Sequence, residues 1–364
     1  MMNGYLITFV VPVYKIDKEQ LARCISSILA QKGASQPYEI LLVDDGSPDE
    51  CPRICDEYAA KYENIRVLHQ DNQGLSVVRN QGVKHALGEW VAFVDGDDWI
   101  EPDFVSFAEV SMKVAPVDCD IFIWDGFSET KNKTTPIQFM DLDDTGLQIY
   151  CGQDKEVLID RIIPLHVSKN DIKRCTDIGI TWGRIYRRAF LLGHGIENIP
   201  GLRVMQDSIF NLWAFEYART ICYQYKPLYH YSMYDESISK KYDATVAETM
   251  RILYGHFAAY IKACHNTEEY WQRLYIRTVR LLVKCMAKDY ANPLNNSPLH
   301  RRVEKMSKDL SAEEFQTALQ NCRDSGQDIK FIVIHKLLRY RMYALAIFVS
   351  RAFGTVRRLK NHVS

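Results

Sequence analysis

Trp90-Val91-Ala92-Phe93-Val94-Asp95-Gly96-Asp97-Asp98-Trp99 decides the reading of this chain. Five apolar residues end abruptly in three carboxylates within four positions. A continuous apolar run marks a strand buried on both faces, and such a strand stops where polar residues begin. Asp95, Asp97 and Asp98 are therefore expected at the C-terminal end of a buried strand, the edge where open α/β sheets bind ligands. Carboxylates this close repel one another, and a cation that shares their charge stabilises them. Taken alone, the ten residues also read as a strand followed by a solvated Asp-Gly turn.

The chain upstream repeats the arrangement. Residues 5–14 form a β-rich run that closes at Pro12, which has no N–H to give a ladder, leaving Val13 and Tyr14 on the loop beyond. Leu21, Ile25, Ile28 and Leu29 recur at helical spacing. Residues 38–43 read as a second strand ending in Asp44-Asp45-Gly46-Ser47-Pro48-Asp49, with a helix starting near Ser47 to Asp49. Residues 65–69 give a short third strand, and a further helix opens at residues 73–82. Strands and helices alternate in about a hundred residues, which predicts a mostly parallel sheet with right-handed crossovers. The tips carrying Tyr14, Asp44-Asp45 and Asp95-Gly96-Asp97 would then share one edge.

Composition sets the outer bounds. The 364 residues are 47% hydrophobic with a formal net charge of -1, so a sizeable core is expected and no basic footprint for nucleic acid exists. The ten cysteines are scattered, Cys51 and Cys55 lack a second matching pair, and Met-Met-Asn-Gly at the start has no basic signal region. Reduced thiols and a cytoplasmic location are expected. The pattern divides into residues 1–240, in halves of 1–115 and 116–240, and a helical region 241–364. Helices are read at 104–114, 245–264, 268–290 and 312–322, strands at 119–124 and 221–231, a strand entering a helix across 178–190, and a hairpin or loop across 128–147. Residues 330–364 lack any acid and alternate Lys330, Lys336, Arg339, Arg341, Arg351, Arg357, Arg358 and Lys360 with Phe331, Ile334, Leu338, Tyr343, Ile347 and Phe348. Such basic amphipathic helices lie on anionic membrane faces, the alternative being a helix packed on its own domain.

Converging carboxylates suit Mn²⁺ or Mg²⁺ bridging a diphosphate, since these hard cations take one or two carboxylates plus phosphate oxygens. Asp95 would serve the ribose and Asp97 the metal, with Gly96 admitting the ligand closely. Tyr14 offers a face to a base, Asp44 or Asp45 an acceptor, and Arg79 a charge for phosphate. Each has a plain alternative: Tyr14 packed on the sheet, Asp45-Gly46 a simple turn, Arg79 a solvated helix residue.

In this order, Val11-Pro12-Val13-Tyr14, Val43-Asp44-Asp45-Gly46-Ser47, Gly74-Leu75-Ser76-Val77-Val78-Arg79-Asn80-Gln81-Gly82 and Phe93-Val94-Asp95-Gly96-Asp97-Asp98 with Pro102-Asp103 resemble the family 2 glycosyltransferases. The resemblance is strong over residues 5 to 105. It is weaker through Trp182-Gly183-Arg184-Ile185-Tyr186, Gln206-Asp207, Tyr229-His230-Tyr231 and Ser237-Ile238-Ser239. It implies a GT-A fold, Rossmann-like with helices on both faces of the sheet, and a C-terminal helical region. It further implies a metal-dependent, inverting hexosyl- or N-acetylhexosaminyl-transferase that takes a nucleotide sugar, most often a UDP-sugar. The acceptor would be a glycan or lipid-linked glycan of a surface polysaccharide, at the cytoplasmic membrane face. By motif, Pro12, Val13 and Tyr14 line the base pocket, and Asp44 or Asp45 holds uracil and ribose. Arg79 sits near the nucleotide, Asp95 and Asp97 serve ribose and metal, and Asp207 is the catalytic base. Two departures stand out: Lys15 replaces the usual Asn after Tyr, and Gln206 replaces the usual Glu before Asp207. Asp207 also reads as a helix N-cap.

Two other classes compete. A sugar nucleotidyltransferase needs a Gly-rich loop after the first strand, and residues 12–17 contain no glycine. A degenerate module that only binds nucleotide or sugar would differ in turnover alone. Trp124, Tyr150 and Trp182 either stack on sugar rings or fill core.

Overall fold

The computed structural model describes residues 4–140, 146–165, 178–202, 204–233 and 242–363, with side chains to residue 353 in the last segment. The Ser237-Ile238-Ser239 stretch lies outside the described residues. The chain divides into two compact units, one of residues 1–162 and 173–234, the other of 163–172 and 235–364.

The first unit is built on a ten-stranded sheet. Its strands are β1 (Ile7–Val13), β2 (Tyr38–Asp44), β3 (Ile65–His69), β4 (Trp90–Phe93), β5 (Trp99–Ile100), β6 (Cys119–Thr130), β7 (Lys133–Ile137), β8 (Gln148–Cys151), β9 (Arg184–Arg187) and β10 (Thr220–Ser232). The order is β3-β2-β1-β4-β9-β6-β10-β5, with β7 on β6 and β8 on β10. β3, β2, β1 and β4 are parallel, and β9 runs antiparallel between β4 and β6. The helices are α1 (Lys18–Leu29), α2 (Cys51–Lys61), α3 (Leu75–His85), α4 (Phe104–Val114), α5 (Glu156–Ile162), α6 (Arg188–His194) and α7 (Gln206–Tyr217). Every residue of β1 and β4 is buried, as expected of strands covered on both faces.

β1 runs through Pro12 to Val13, one residue past the expected stop. The β4 ladder reaches only Val10, paired with Phe93, while β2 continues to Val13 and Asp44. The Pro12 carbonyl lies on the Gly96 side, beyond the end of β4, so the missing N–H leaves no bond unmade. α2 starts at Cys51, later than expected, because the Asp44 carboxylate accepts from the Ser47 N–H at 3.1 Å and holds residues 44–47 as a loop. The Asp49 carboxylate then accepts from the Cys51 N–H at 3.1 Å. Trp124 is fully buried between Phe104, Phe107 and Phe122 and fills core.

The second unit is helical: α8 (Val246–Cys264), α9 (Glu268–Cys285) running into a π-turn (Met286–Tyr290), α10 (Leu299–Asp309), α11 (Glu313–Asn321), α12 (Ile329–Arg339) and α13 (Tyr343–Val363). No helix among the described residues is long and apolar enough to cross a membrane. Phe331, Ile334, Leu338, Tyr343 and Ile347, assigned above to a membrane-facing stripe, are buried; of the apolar residues named there, only Phe348 is exposed, at 71%. The described cysteines are free thiols.

Candidate active site at the sheet edge

Asp95 and Asp97 leave β4 on a turn in which the Asp98 N–H donates to the Asp95 carbonyl at 2.9 Å. The Asp98 carboxylate accepts from the Tyr229 hydroxyl at 2.6 Å and the Ser232 N–H at 2.7 Å. The Tyr229 hydroxyl in turn accepts from the Asp95 N–H at 3.1 Å, so β10 fastens the turn at two points. Burial, then Asp95 and Asp97, pushes the Asp98 carboxyl well above the usual range. Asp97 is half-buried, and burial followed by Asp95 raises its carboxyl too. Its backbone carbonyl accepts from Arg23 Nη2 at 2.7 Å and from Ser232 Oγ at 2.9 Å. The Arg23 guanidinium lies 3.8 Å from the Trp99 ring centroid, and Trp99 stacks on His230.

Arg79 is not a solvated helix residue. It is 2% exposed and donates from Nη1 to Asp207 Oδ1 at 2.6 Å and from Nη2 to Asp95 Oδ1 at 2.8 Å. Burial alone would lower its pKa; Asp207 and Asp95 outweigh that and hold it charged. Local packing delivers it. A Cβ on Gly82 would stand 2.2 Å from Val10 Cγ1, so α3 lies close against β1, and Arg79 is on the same helix face.

Asp207 is the second residue of α7, after Met205 in a left-handed backbone of φ 58. It is therefore not the N-cap. Thr181 Oγ1 donates to its Oδ2 at 3.4 Å. The helix N-terminus and Arg79 favour the anion, while burial opposes it. Burial wins: the Asp207 carboxyl is raised, with Arg79 pulling against. Gln206, beside it, is buried and accepts from the Ser76 hydroxyl, tying α7 to α3.

Asp44 and Asp45 are both buried, and both are engaged within the protein. Asp44 Oδ1 accepts from the Ser47 N–H at 3.1 Å, and Oδ2 lies 2.9 Å from His69 Nδ1. Asp45 Oδ1 accepts from Gln70 Nε2 and the Gln73 N–H, and Oδ2 from Asn72 Nδ2 and the Gly74 N–H. A carboxylate has about four acceptor positions, and those of Asp45 are filled. Asp45 thus holds residues 70–74 at the head of α3. Gly96 also has an internal reason: a Cβ there would meet Ile16 Cδ1 at 2.3 Å and the Pro12 carbonyl at 3.0 Å. Tyr14 is 43% exposed, with Lys15 Nζ 5.2 Å from its ring centroid.

Known proteins carry the same sequence pattern and fold. Residues 8–176 match the model of the family described as Glycosyl transferase family 2. The chain carries a family 2 glycosyltransferase domain. EpsH of Bacillus subtilis, provisionally named a glycosyltransferase, is 29% identical over 361 residues, 99% of this chain and 98% of its own. The uncharacterized glycosyltransferase YibD of Escherichia coli is 28% identical, over 83% of this chain and 78% of its own. TarS of S. aureus, residues 1–349, solved with UDP-GlcNAc, superposes with a TM-score of 0.64 at 19% identity, covering 98% of this chain and 92% of that one. The fold of the transferase is thus the GT-A fold with C-terminal helices.

The donor atoms of the transferase fit a hard cation. Asp95 and Asp97 offer carboxylate oxygens, and among the described residues the Asp97 carboxylate makes no ion pair. No group of three or more His, Cys, Asp or Glu among the described residues would enclose an ion. A cation held here would take its remaining ligands from a diphosphate and water. Arg23, Tyr229, Ser232 and Thr181 escaped the sequence reading as site residues. Tyr229 belongs to the weakly resembling Tyr229-His230-Tyr231, and its strand position says nothing of its hydroxyl. Trp182 is buried and stacks on Tyr229 and Tyr231 at 4.9 and 5.8 Å between centroids.

Proposed function

We propose that this transferase moves a sugar from a UDP-sugar to a glycan or lipid-linked acceptor of a surface polysaccharide, inverting the anomeric centre in one displacement. The observation that carries the reading is Arg79, which draws Asp95 and Asp207 to one guanidinium at the sheet edge. In this reading Pro12, Val13 and Tyr14 line the base pocket and Asp44 stands at its edge, while Asp45 acts by holding residues 70–74. Asp95 meets the ribose, and with Asp97 it holds Mn²⁺ or Mg²⁺. That cation, when bound, supplies positive charge beside the departing diphosphate. Asp207 takes the proton of the acceptor hydroxyl. Its raised pKa makes it a stronger base than an ordinary carboxylate, and Arg79 orients it. TarS, a structural neighbour, was crystallised with UDP-GlcNAc and with UDP, which supports a UDP-sugar here.

An anionic membrane surface belongs to the same proposal. Tyr340, Met342 and Phe348 are exposed beside the exposed Lys336, Arg339 and Arg341. Such a mixture of apolar and basic groups suits the headgroup region.

Asp207→Asn tests the mechanism. The variant is expected to bind UDP as the wild type does and to lose transfer by about 10²–10⁴-fold, the worth of a general base. Because the base acts ionised, wild-type kcat falls as pH drops through the raised pKa of Asp207, so the acid limb lies above 3.8. Transfer retained in the Asn variant would place the base elsewhere.

A further inference from the structure

The second unit contains a cleft that the transfer chemistry does not use. It opens between α8, α9 and α11, has a volume of about 450 Å³, and is lined by Tyr254, Trp271, Tyr275, Thr317 and three glutamates. It is a shallow groove open to solvent, and ligand sites fall in this size range. Trp271 and Tyr275 lie one turn apart on α9, their centroids 6.3 Å apart and their planes 29° from parallel, forming a shallow aromatic platform. Among the described residues, the hydroxyls of Tyr254, Tyr275 and Thr317 have no hydrogen-bond partner within the protein.

We infer that this cleft binds uncharged pyranose residues of the acceptor glycan. The inference rests on the transferase reading only for the word acceptor. A pyranose has apolar C–H faces that cover aromatic rings and a rim of hydroxyls that both donate and accept. The cleft offers both partners: aromatic faces below, and hydroxyls and carboxylates around. Its charges exclude the other ligand classes. Glu268, Glu313 and Glu314 repel a phosphate-bearing polymer. They do not form a bare cation site either, because Arg323 pairs with Glu268 at 3.0 Å and Arg251 lies 3.7 Å from Glu314. Glu313 is exposed and makes no ion pair among the described residues, which leaves it to accept from sugar hydroxyls. An ammonium ligand could donate to the three hydroxyl oxygens but would accept none of their protons, whereas a sugar hydroxyl does both.

The test uses the full chain and calorimetry with uncharged hexasaccharides (cello-, malto- and chito-), oligolysine and polyphosphate. At least one hexasaccharide is expected to bind and both charged probes to fail. Trp271→Ala should weaken the sugar by about tenfold and Trp271→Phe by much less, since the phenyl ring keeps a stacking face. Glu313→Gln, at an exposed site that cannot unfold the unit, should weaken it measurably. Hydrolysis of UDP-sugar without acceptor should be unchanged in all three variants. The inference is overturned if no uncharged hexasaccharide binds, if only oligolysine binds, or if Trp271→Ala with a wild-type circular dichroism spectrum binds equally well. If the full chain binds no nucleotide with or without Mn²⁺, the transferase reading fails, while the glycan titrations still decide the cleft.

Discussion

Lys15 adopts a left-handed backbone of φ 52, a conformation that costs an L-residue with a Cβ roughly 1–2 kcal/mol and Asn or Gly less. This accounts for the Asn that the family usually places after the tyrosine. Lys15→Asn is accordingly expected to raise stability by about 0.5–1 kcal/mol, read as a higher urea midpoint at unchanged slope. An unchanged or lower midpoint would show that the Lys15 amine near Tyr14 matters more than the backbone. Arg79 makes the opposite case. Arg79→Met leaves Asp95 and Asp207 without their counter-charge, and about 3 kcal/mol of stability should go. Adding Asp207→Asn should restore part of it, because a neutral amide needs no partner. A single Met variant as stable as the wild type would refute the bridge. Asp95 and Asp97 stood out in the sequence because they follow an apolar run, whereas Asp207 was reached only through the family resemblance. The partners of Arg79 were not legible, since one of them lies 128 positions away.

At the scale of elements, periodicity located α8, α9 and α11 but missed α10, and it did not show what the apolar faces cover. α12 and α13 have the composition of membrane-surface helices, yet Phe331, Ile334 and Leu338 face the protein's own core. An apolar stripe reads the same in both settings, and only the packing partners separate them. The structure therefore reshapes the membrane test. Phe331→Ala is expected to cost about 3 kcal/mol of stability, as loss of a buried phenyl ring does. Phe348→Glu combined with Arg339→Glu should leave the fold unchanged and reduce sedimentation with anionic vesicles. Undiminished sedimentation of that double variant would remove the membrane surface from the proposal. The strand read across 178–190 is β9, only four residues long, while β5, with two residues, escaped the sequence because it is too short for an alternation to register. Yet β9 joins β4 to β6, and β5 pairs with the part of β10 that holds Tyr229 and His230.

At the scale of the whole molecule, alternating strands and helices made the α/β class readable from the first hundred residues. The return of residues 163–165 to the helical unit was not readable. Ile163 is buried there, Arg273 Nη1 donates to its carbonyl, and Gln327 Nε2 donates to the Leu165 carbonyl, both at 3.2 Å. No sequence period marks contacts of that kind. The central claim concerns the sheet edge, where Asp95 and Asp97 are proposed to hold a nucleotide diphosphate through a divalent cation. The most direct measurement is a calorimetric titration of the full chain with UDP and with GDP, each with and without Mn²⁺, repeated on Asp97→Ala. The account predicts UDP binding that requires Mn²⁺ and is at least about tenfold weaker in the variant, a loss of roughly 1.4 kcal/mol. Absence of nucleotide binding under every condition, or Mn²⁺-dependent binding unchanged in Asp97→Ala, would contradict it.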